Sequence, residues 1–339
     1  MPESVARSLA RERRPPPAPA GSAGAFVNQW TEAEALDGAR VRAFVLILRT
    51  RGCYWADLKG CSMCGYARDT LGRSAAPEEL AAQLDAAMAR YRDEPYVKIY
   101  TSGSFFDDRE VDPASRDRIG RAFAGRARRL LVETLPEFAT DATVGALRDA
   151  FGGRLEVAEG LESADPVVLE RFVNKGASPR EYFDAAARIR SAGASPKGYL
   201  LLKPPYLTER EAVEDVVASV AAARPWFDTL SVNPVHIQGG TVVEWLYRRG
   251  RYRPPWLWSL VEAMRRAAPL RGTTRLVTFP TAGGQPRGPH NCGACDRRVL
   301  AALEEAALDQ RFDVLDGLAC ACRDRWATEG ALEPVGVEA

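Results

Sequence analysis

Three cysteines, Cys53, Cys61 and Cys64, stand in the segment CYWADLKGCSMC directly after the apolar run AFVLIL at 43–48. Three thiolates on one loop hold three irons of a [4Fe–4S] cluster, and no fourth cysteine lies nearby. Such clusters normally take four thiolates, so three leave one iron open to a small molecule. An open coordination position separates a working metal site from a structural one. The placement constrains the architecture as well, because α/β folds bind ligands beyond the carboxyl ends of their strands.

The remaining pattern supplies such a fold. Residues 77–91 read as a helix, with Leu80, Leu84 and Met88 on one face and proline at the start. Strands are predicted over 43–48, 97–101, 130–134, 155–158, 199–202 and 230–233, and a last short one over 276–279. Helices are predicted over 116–126, 142–151, 166–172, 179–191, 209–223 and 256–267. About six β/α units between residues 40 and 270 indicate an α/β protein folded as a partial (β/α)6 TIM-type barrel, active at the carboxyl ends of its strands. Residues 1–39 form an arm and lead-in, with 1–24 a flexible Pro/Ala/Gly-rich stretch. The barrel spans 40–285, and 286–339 is a cysteine-rich extension.

A length of 339 residues, 46% hydrophobic, suffices for one barrel. No stretch approaches the roughly 18 apolar residues of a membrane span, and the charged start lacks the apolar core of a secretory signal. Seven cysteines in two metal-like groups fit a reducing compartment, so a cytoplasmic location away from membranes is expected. Net charge is only +1 and carries no signal for nucleic acid. Arg248, Arg249, Arg251 and Arg253 nevertheless cluster beside Tyr247, Tyr252 and Trp256, and Arg265, Arg266, Arg271 and Arg275 follow. Arginines interleaved with aromatics suit phosphate contacts and base stacking, although a solvated charged face has the same pattern.

The second cysteine group has the fuller ligand set. Cys292-x2-Cys295 and Cys320-x-Cys322 flank a helical segment at 298–308. Four thiolates from two short hooks match a four-cysteine zinc site. An auxiliary iron–sulfur cluster uses the same ligands; the short spacing with His290 and Asn291 adjacent favours zinc.

The cluster loop resembles that of the radical S-adenosylmethionine (SAM) superfamily. Its C-x7-C-x2-C spacing is longer than the usual C-x3-C-x2-C, and Met63 replaces the usual aromatic before the last cysteine. With the phrase RTRGCYWADLKGCSMCGY, the longer spacing resembles the branch related to the Elongator catalytic subunit, and within it the archaeosine-forming radical SAM proteins. The resemblance covers about residues 40–325 and implies the same barrel. It also implies roles for further motifs. Ser102-Gly103-Ser104, ending the second predicted strand, stands where the superfamily carries a Gly-rich turn for the methionine amino group; an ordinary strand-to-helix turn reads the same way. Asp107 and Asp108 follow, as acceptors for an amine-bearing substrate or as a helix cap. Glu133, in VETLPEF, resembles a Glu-Thr-x-Pro element that implies contact with SAM or substrate. In AEGLES, Glu162 is the preferred ligand of the SAM ribose and Glu159 its rival. Lys175 and Lys203 end further β/α segments and suit anions. Asn233, His236 and Gln238 suit a nucleobase edge or the SAM adenine. Asp107, Glu133 and His236 are the residues expected to bear on catalysis.

The resemblance implies a radical SAM lyase-type enzyme acting on tRNA. Its cofactors are a [4Fe–4S] cluster and SAM, with Zn2+ in the tail. Its substrate is a lysine adduct of 7-cyano-7-deazaguanine, and breaking the C–N bond of the lysine-derived substituent leaves the formamidine of archaeosine. Implied partners are tRNA, the lysine-transferring archaeosine synthase subunit and an electron donor. Two alternatives remain. One is another radical SAM tRNA enzyme, Elongator-like or methylthiotransferase-like. The cysteine-free residues 1–40 and the roughly 60 residues after the barrel count against their extra domains. The other is a non-catalytic zinc RNA-binding protein.

Overall fold

A computed structural model of the protein describes residues 22–332, so most of the expected arm at 1–24 lies outside the described residues. One eight-stranded sheet organises it, in the order β1 (Asn28–Leu36), β2 (Ala39–Ile47), β3 (Tyr96–Tyr100), β4 (Arg129–Thr134), β5 (Arg154–Glu162), β6 (Ser195–Leu202), β7 (Thr229–Pro234) and β8 (Arg275–Val277). The strands from β2 onward pair in parallel, as βαβ crossovers require. The sheet curls through 232° into a half-barrel flanked by helices.

β1 is the element that the predicted strand set lacks. It pairs antiparallel with β2 through Asp37 and Gly38, whose φ values of 53° and 77° make a two-residue hairpin turn. Asp-Gly is a strong local signal for such a turn. Its strand is harder to see, because Glu32 and Glu34 occupy inward positions and interrupt the apolar alternation.

Along the parallel strands, side chains alternate between two interiors. Phe44, Leu46, Val97, Ile99, Leu130, Val132, Leu155 and Val157 face the helices. Ala43, Tyr96, Leu131 and Ala158 face the lumen, with Tyr100 and Tyr199. The lumen floor is polar. Lys98 bonds Glu34 at 2.6 Å and Glu32 at 2.7 Å, while Arg275 approaches Glu34 at 3.6 Å. Burial alone raises the Glu34 carboxyl, yet the Lys98 and Lys197 charges hold it down at about 2. These pairs tie β1, β3 and β8 together across the floor.

The helices are α1 (Tyr54–Leu58), α2 (Pro77–Met88), α3 (Pro113–Phe123), α4 (Asp141–Phe151), α5 (Pro179–Ser191), α6 (Glu209–Ala223), α7 (Val242–Arg248), α8 (Leu257–Ala267), α9 (Asp296–Asp309) and α10 (Cys322–Leu332). Local chemistry starts several of them. Ser178 with Glu181, and Thr208 with Glu211, form reciprocal capping boxes at α5 and α6. The helix predicted over 166–172 is instead a π-helical turn, Val168–Val173, ended by Asn174 at φ 61°. Wider turns of this kind recur at functional sites.

The cysteine-rich extension is built into the barrel. Helix α9 packs against both β1 and β8, the two edges that the half-barrel leaves apart. Arg40 pairs with Asp309 at the end of α9, and Gln310 exchanges two hydrogen bonds with the backbone of Leu276 on β8. Val299, Leu303 and Ala306 share one apolar core with α6 and α8. Among the described residues no helix is long and apolar enough to cross a membrane.

Candidate metal and cofactor site

The loop after β2 lies across the carboxyl ends of the strands and is strapped from both sides. Cys53 immediately precedes α1, and Cys61 and Cys64 follow Gly60, which turns with φ 64°. On one side, the indole of Trp55 donates to Asn174 O at 2.8 Å, and the Asn174 amide donates to Gly60 O at 2.7 Å. Ser62 donates to Phe172 O at 2.6 Å through its hydroxyl and to Val173 O at 2.9 Å through its N–H. The π-helical turn therefore acts as the loop's buttress. On the other side, Gly65 N–H donates to the Gln238 amide oxygen, and Val242 N–H donates to Ser62 O at 3.0 Å.

The three thiols share one electrostatic neighbourhood with Lys175 and Glu162. Burial pushes the Cys61 thiol up to about 12. Iron would hold it as thiolate outright, as a coordinated metal does for any thiol. Among the described residues only the C-terminal four cysteines have ligand atoms within 4.8 Å of one another.

The turn Ser102-Gly103-Ser104 is locked against this loop by a residue that the sequence did not single out. Glu110 is buried, and one carboxylate oxygen accepts from Ser104 N–H at 2.6 Å while the other accepts from the Thr50 hydroxyl at 2.7 Å. Thr50 sits just ahead of the cysteines. Burial raises the Glu110 carboxyl to about 7 despite these bonds. Between Glu110 and the loop lies Gly103. A Cβ added there would stand 1.9 Å from Glu110 Oε1 and 2.7 Å from the backbone of Cys53. This close approach of two backbones is the reason for glycine, and it brings the turn's polar backbone beside Cys53. The cradle fits a cluster with a small ligand on its open iron.

β5 ends in a bulge between Glu159 and Glu162, and Glu162 takes φ 64°, a strained conformation for this residue. The kink presents Glu162 to Lys175 at 3.0 Å. Gly160 clears the way, since a Cβ there would meet Glu162 Oε1 at 2.5 Å and Lys175 Nζ at 2.8 Å. Glu159 is elsewhere: fully buried, with Arg188, Glu137 and Lys175 as its charged neighbours and neither carboxylate oxygen hydrogen-bonded among the described residues. Burial raises its carboxyl well above the ordinary value.

Glu133 sits in the lumen near Tyr199, Lys197, Glu162 and Lys175, and burial raises its carboxyl to about 7. Its backbone carbonyl accepts from Phe105 N–H at 2.8 Å, linking it to the serine-glycine turn. Asp107 is buried and grips Arg109 with both oxygens, at 2.8 Å to Nη2, so it stands as an ion pair rather than a lone carboxylate. Asp108 pairs with Arg116. His236 lies half-buried 3.1 Å from the Gln238 amide nitrogen, and burial, with Arg287 beside it, lowers its basicity. Asn233 accepts from Ser231 at 3.0 Å. Lys203 is withdrawn into a buried pair with Glu209 at 2.7 Å.

One aromatic at the mouth has no counterpart in the predicted set. Tyr66, two residues after Cys64, is 51% exposed, while Cys64, Glu133, Glu162 and Gln238 surround its phenol. Its place two residues after the last cysteine of the loop was the available signal.

In the C-terminal group, Cys292 Sγ lies 4.0 Å from Cys295 Sγ and 3.8 Å from Cys320 Sγ, and Cys295 Sγ lies 3.7 Å from Cys322 Sγ. Two neutral donors point at the sulfurs: Trp258 Nε1 at 3.2 Å from Cys322 and Asn291 Nδ2 at 3.3 Å from Cys295. Such outer donors orient and stabilise thiolate ligands.

No family model matches the protein. It is 37% identical over 302 residues to archaeosine synthase subunit beta of Methanosarcina acetivorans, covering 88% of this chain and 87% of that one. It is 34% identical over 308 residues to archaeosine synthase subunit beta of Thermococcus kodakarensis, covering 88% and 95%. Among solved structures, a queuine lyase from Clostridium spiroforme bound to SAM and queuine matches 66% of this chain and 91% of its own, at 17% identity and a TM-score of 0.47, a likeness too distant to bear on function. Identity of the level shared with the two archaeal subunits, across the barrel and its tail, is enough to place the protein: it belongs to the radical SAM superfamily, in the family of archaeosine synthase subunit beta.

Proposed function

We propose that this radical SAM enzyme completes archaeosine in tRNA, breaking the C–N bond of the lysine-derived substituent on 7-cyano-7-deazaguanine so that the formamidine remains. The observation that carries the reading is the similarity to archaeosine synthase subunit beta across nearly the whole barrel. Membership in a family of beta subunits supports a partner as well, here the lysine-transferring one, alongside tRNA and an electron donor.

Cys53, Cys61 and Cys64 hold the [4Fe–4S] cluster in this reading, and the turn at Ser102, Gly103 and Ser104 receives the methionine amino group of SAM. When bound, the cluster and SAM supply reductive cleavage to methionine and a 5′-deoxyadenosyl radical. Glu162 takes the SAM ribose, with Lys175 setting its orientation; Glu159, buried below α5, is the weaker candidate. Glu133, protonated below about pH 7, offers both a donor and an acceptor to the substrate from the lumen wall. His236 presents a neutral ring at the mouth, and Asp107 acts through Arg109. The enclosed lumen keeps water from a reactive carbon centre.

At the tail, zinc is the better reading than an auxiliary cluster. A tetrahedral ion with Zn–S of about 2.3 Å sets its sulfurs about 3.8 Å apart, and the pairs here measure 3.7–4.0 Å. A four-iron cube needs its ligands further apart.

The test is anaerobic turnover of tRNA bearing the lysine adduct, with SAM, reductant and the partner subunit. Archaeosine and 5′-deoxyadenosine are expected. Cleavage of SAM with the adduct left intact would remove the archaeosine assignment and leave a radical SAM enzyme of another substrate.

A further inference from the structure

The run from Arg248 to Arg253 does not act as one surface. Arg253 turns inward, its guanidinium 3.9 Å from the Trp256 ring and bonded to His290 O at 3.0 Å. Arg248 instead joins two arginines from distant segments. Its Nη2 lies 3.0 Å from Glu244 Oε1, and Nη2 of Arg287 reaches the same oxygen at 2.8 Å. The third, Arg68, comes from the cluster loop, four residues beyond Cys64. Its guanidinium lies on the Gly239-Gly240 backbone, where an added Cβ would come within 2.9 and 3.0 Å of Nη1. Gly240 N–H donates to the other Glu244 oxygen at 2.7 Å. Two guanidinium groups thus share one carboxylate, and a third lies on the glycine backbone that the same carboxylate holds. Next to Arg248, exposed Arg249 stacks at 4.0 Å on Trp245, one helical turn back.

This lip borders the mouth. Ile237 N–H donates to Arg287 O at 2.7 Å, and the neighbouring Gln238 holds Gly65 of the cluster loop. The Arg248 and Arg287 side chains are 68% and 44% exposed, whereas that of Glu244 is 12% exposed. The single acid therefore orients the Arg248 and Arg287 guanidinium groups without neutralising both, and their outer faces meet solvent.

We propose that the Arg68–Arg248–Arg287 lip grips the tRNA phosphate backbone beside the target nucleotide while its base enters the lumen. The proposal rests on the tRNA reading above and adds where the RNA is held. Guanidinium forks pair with phosphate oxygens bidentately, and the stacked Arg249–Trp245 pair offers a platform to a neighbouring base or sugar. A base treated in an enclosed site must leave its stack, so the phosphates flanking it pass within reach of the rim. Forked arginines with an aromatic platform favour RNA over an acidic protein face.

The experiment measures binding of an adduct-free tRNA transcript to the anaerobic holoenzyme across a salt series, for wild type, Arg68→Gln, Arg248→Gln and the double variant. Arg287 is kept because its side chain also donates from Nε to Ile237 O at 3.2 Å. Each single change is expected to weaken binding about tenfold and to lower the slope of log K against log salt by about 0.9, and the double variant about a hundredfold. Cluster absorbance and melting temperature matching wild type establish that each variant is folded. If folded variants bind tRNA with unchanged affinity and slope, the lip is not the RNA grip and the proposal fails. Loss of affinity for the partner subunit, with tRNA binding intact, would reassign the lip to a protein interface and equally overturn it. Wild type that binds no tRNA would instead defeat the archaeosine reading itself.

Discussion

Replacing Gly103 with alanine tests the link between the cluster loop and the turn at the end of β3. The added methyl carbon would stand 1.9 Å from Glu110 Oε1 and 2.7 Å from the Cα and N of Cys53, both inside any permitted contact. Backbone cannot yield as a side-chain tip can, so either the Glu110 carboxylate leaves or the two loops part. If Glu110 leaves, Ser104 N–H and the Thr50 hydroxyl lose their acceptors, at about 1–3 kcal/mol each when buried. Overpacking adds about 1–3 kcal/mol. A total of about 3–9 kcal/mol is large against ordinary domain stabilities of about 5–15 kcal/mol. The reasoning predicts that Gly103→Ala loses most of its iron and sulfide after anaerobic reconstitution and binds SAM weakly, as read from the shift that SAM causes in the reduced cluster's electron paramagnetic resonance spectrum. Adding Glu110→Asp retracts the oxygen by about one carbon–carbon bond, roughly 1.5 Å. It should restore only part of the cluster, because the Cys53 backbone still obstructs the methyl. Wild-type iron content and an unaltered SAM response in Gly103→Ala would refute the argument, and full rescue by Glu110→Asp would refute the part assigned to Cys53.

Three further outcomes follow from the structure. Metal analysis should find about one zinc per protein molecule besides the cluster iron. Cys295→Ser should then destabilise the whole fold by about 4 kcal/mol, or roughly 8 °C at ~2 °C per kcal/mol, since α9 spans both barrel edges; separate melting of the tail below an unchanged barrel transition would contradict this. Glu133 sets a pH dependence. Its folded value of about 7 lies above the ordinary 4.5, so its stabilising protonation is complete below 4.5 and is lost as pH rises through 7. Glu133→Gln should flatten the fall in stability between pH 4.5 and 7, measured by denaturant unfolding, and an unchanged pH profile in that variant would place the titration elsewhere.

The chemistry was legible because its signals are local. Thiol spacing names the two metal groups, and alternating strand and helix periodicities name a parallel barrel, because both depend on residues a few positions apart. Ser178 with Glu181 and Thr208 with Glu211 likewise announce their helices within four residues. Even β1 has a local sign in Asp37-Gly38, hidden by glutamates that face the polar lumen floor. What the one-dimensional pattern does not carry is which distant segments meet. Glu110 serves Thr50, sixty positions earlier; Asn174 fastens Gly60, and Gln238 fastens Gly65, across 114 and 173 positions. The arginine run looked like one surface, yet folding turns Arg253 inward and assembles Arg248 with Arg68 and Arg287. AEGLES offered two similar carboxylates, and only the bulge in β5 sends Glu162 to Lys175 and Glu159 beneath α5. The cysteine tail read as an appendage, whereas α9 closes the gap between β1 and β8. Sequence determined the chemical groups and the local elements, since propensity and ligand spacing act over single turns; the tertiary structure decided their partners, since burial and hydrogen-bond satisfaction are met only when the whole barrel closes.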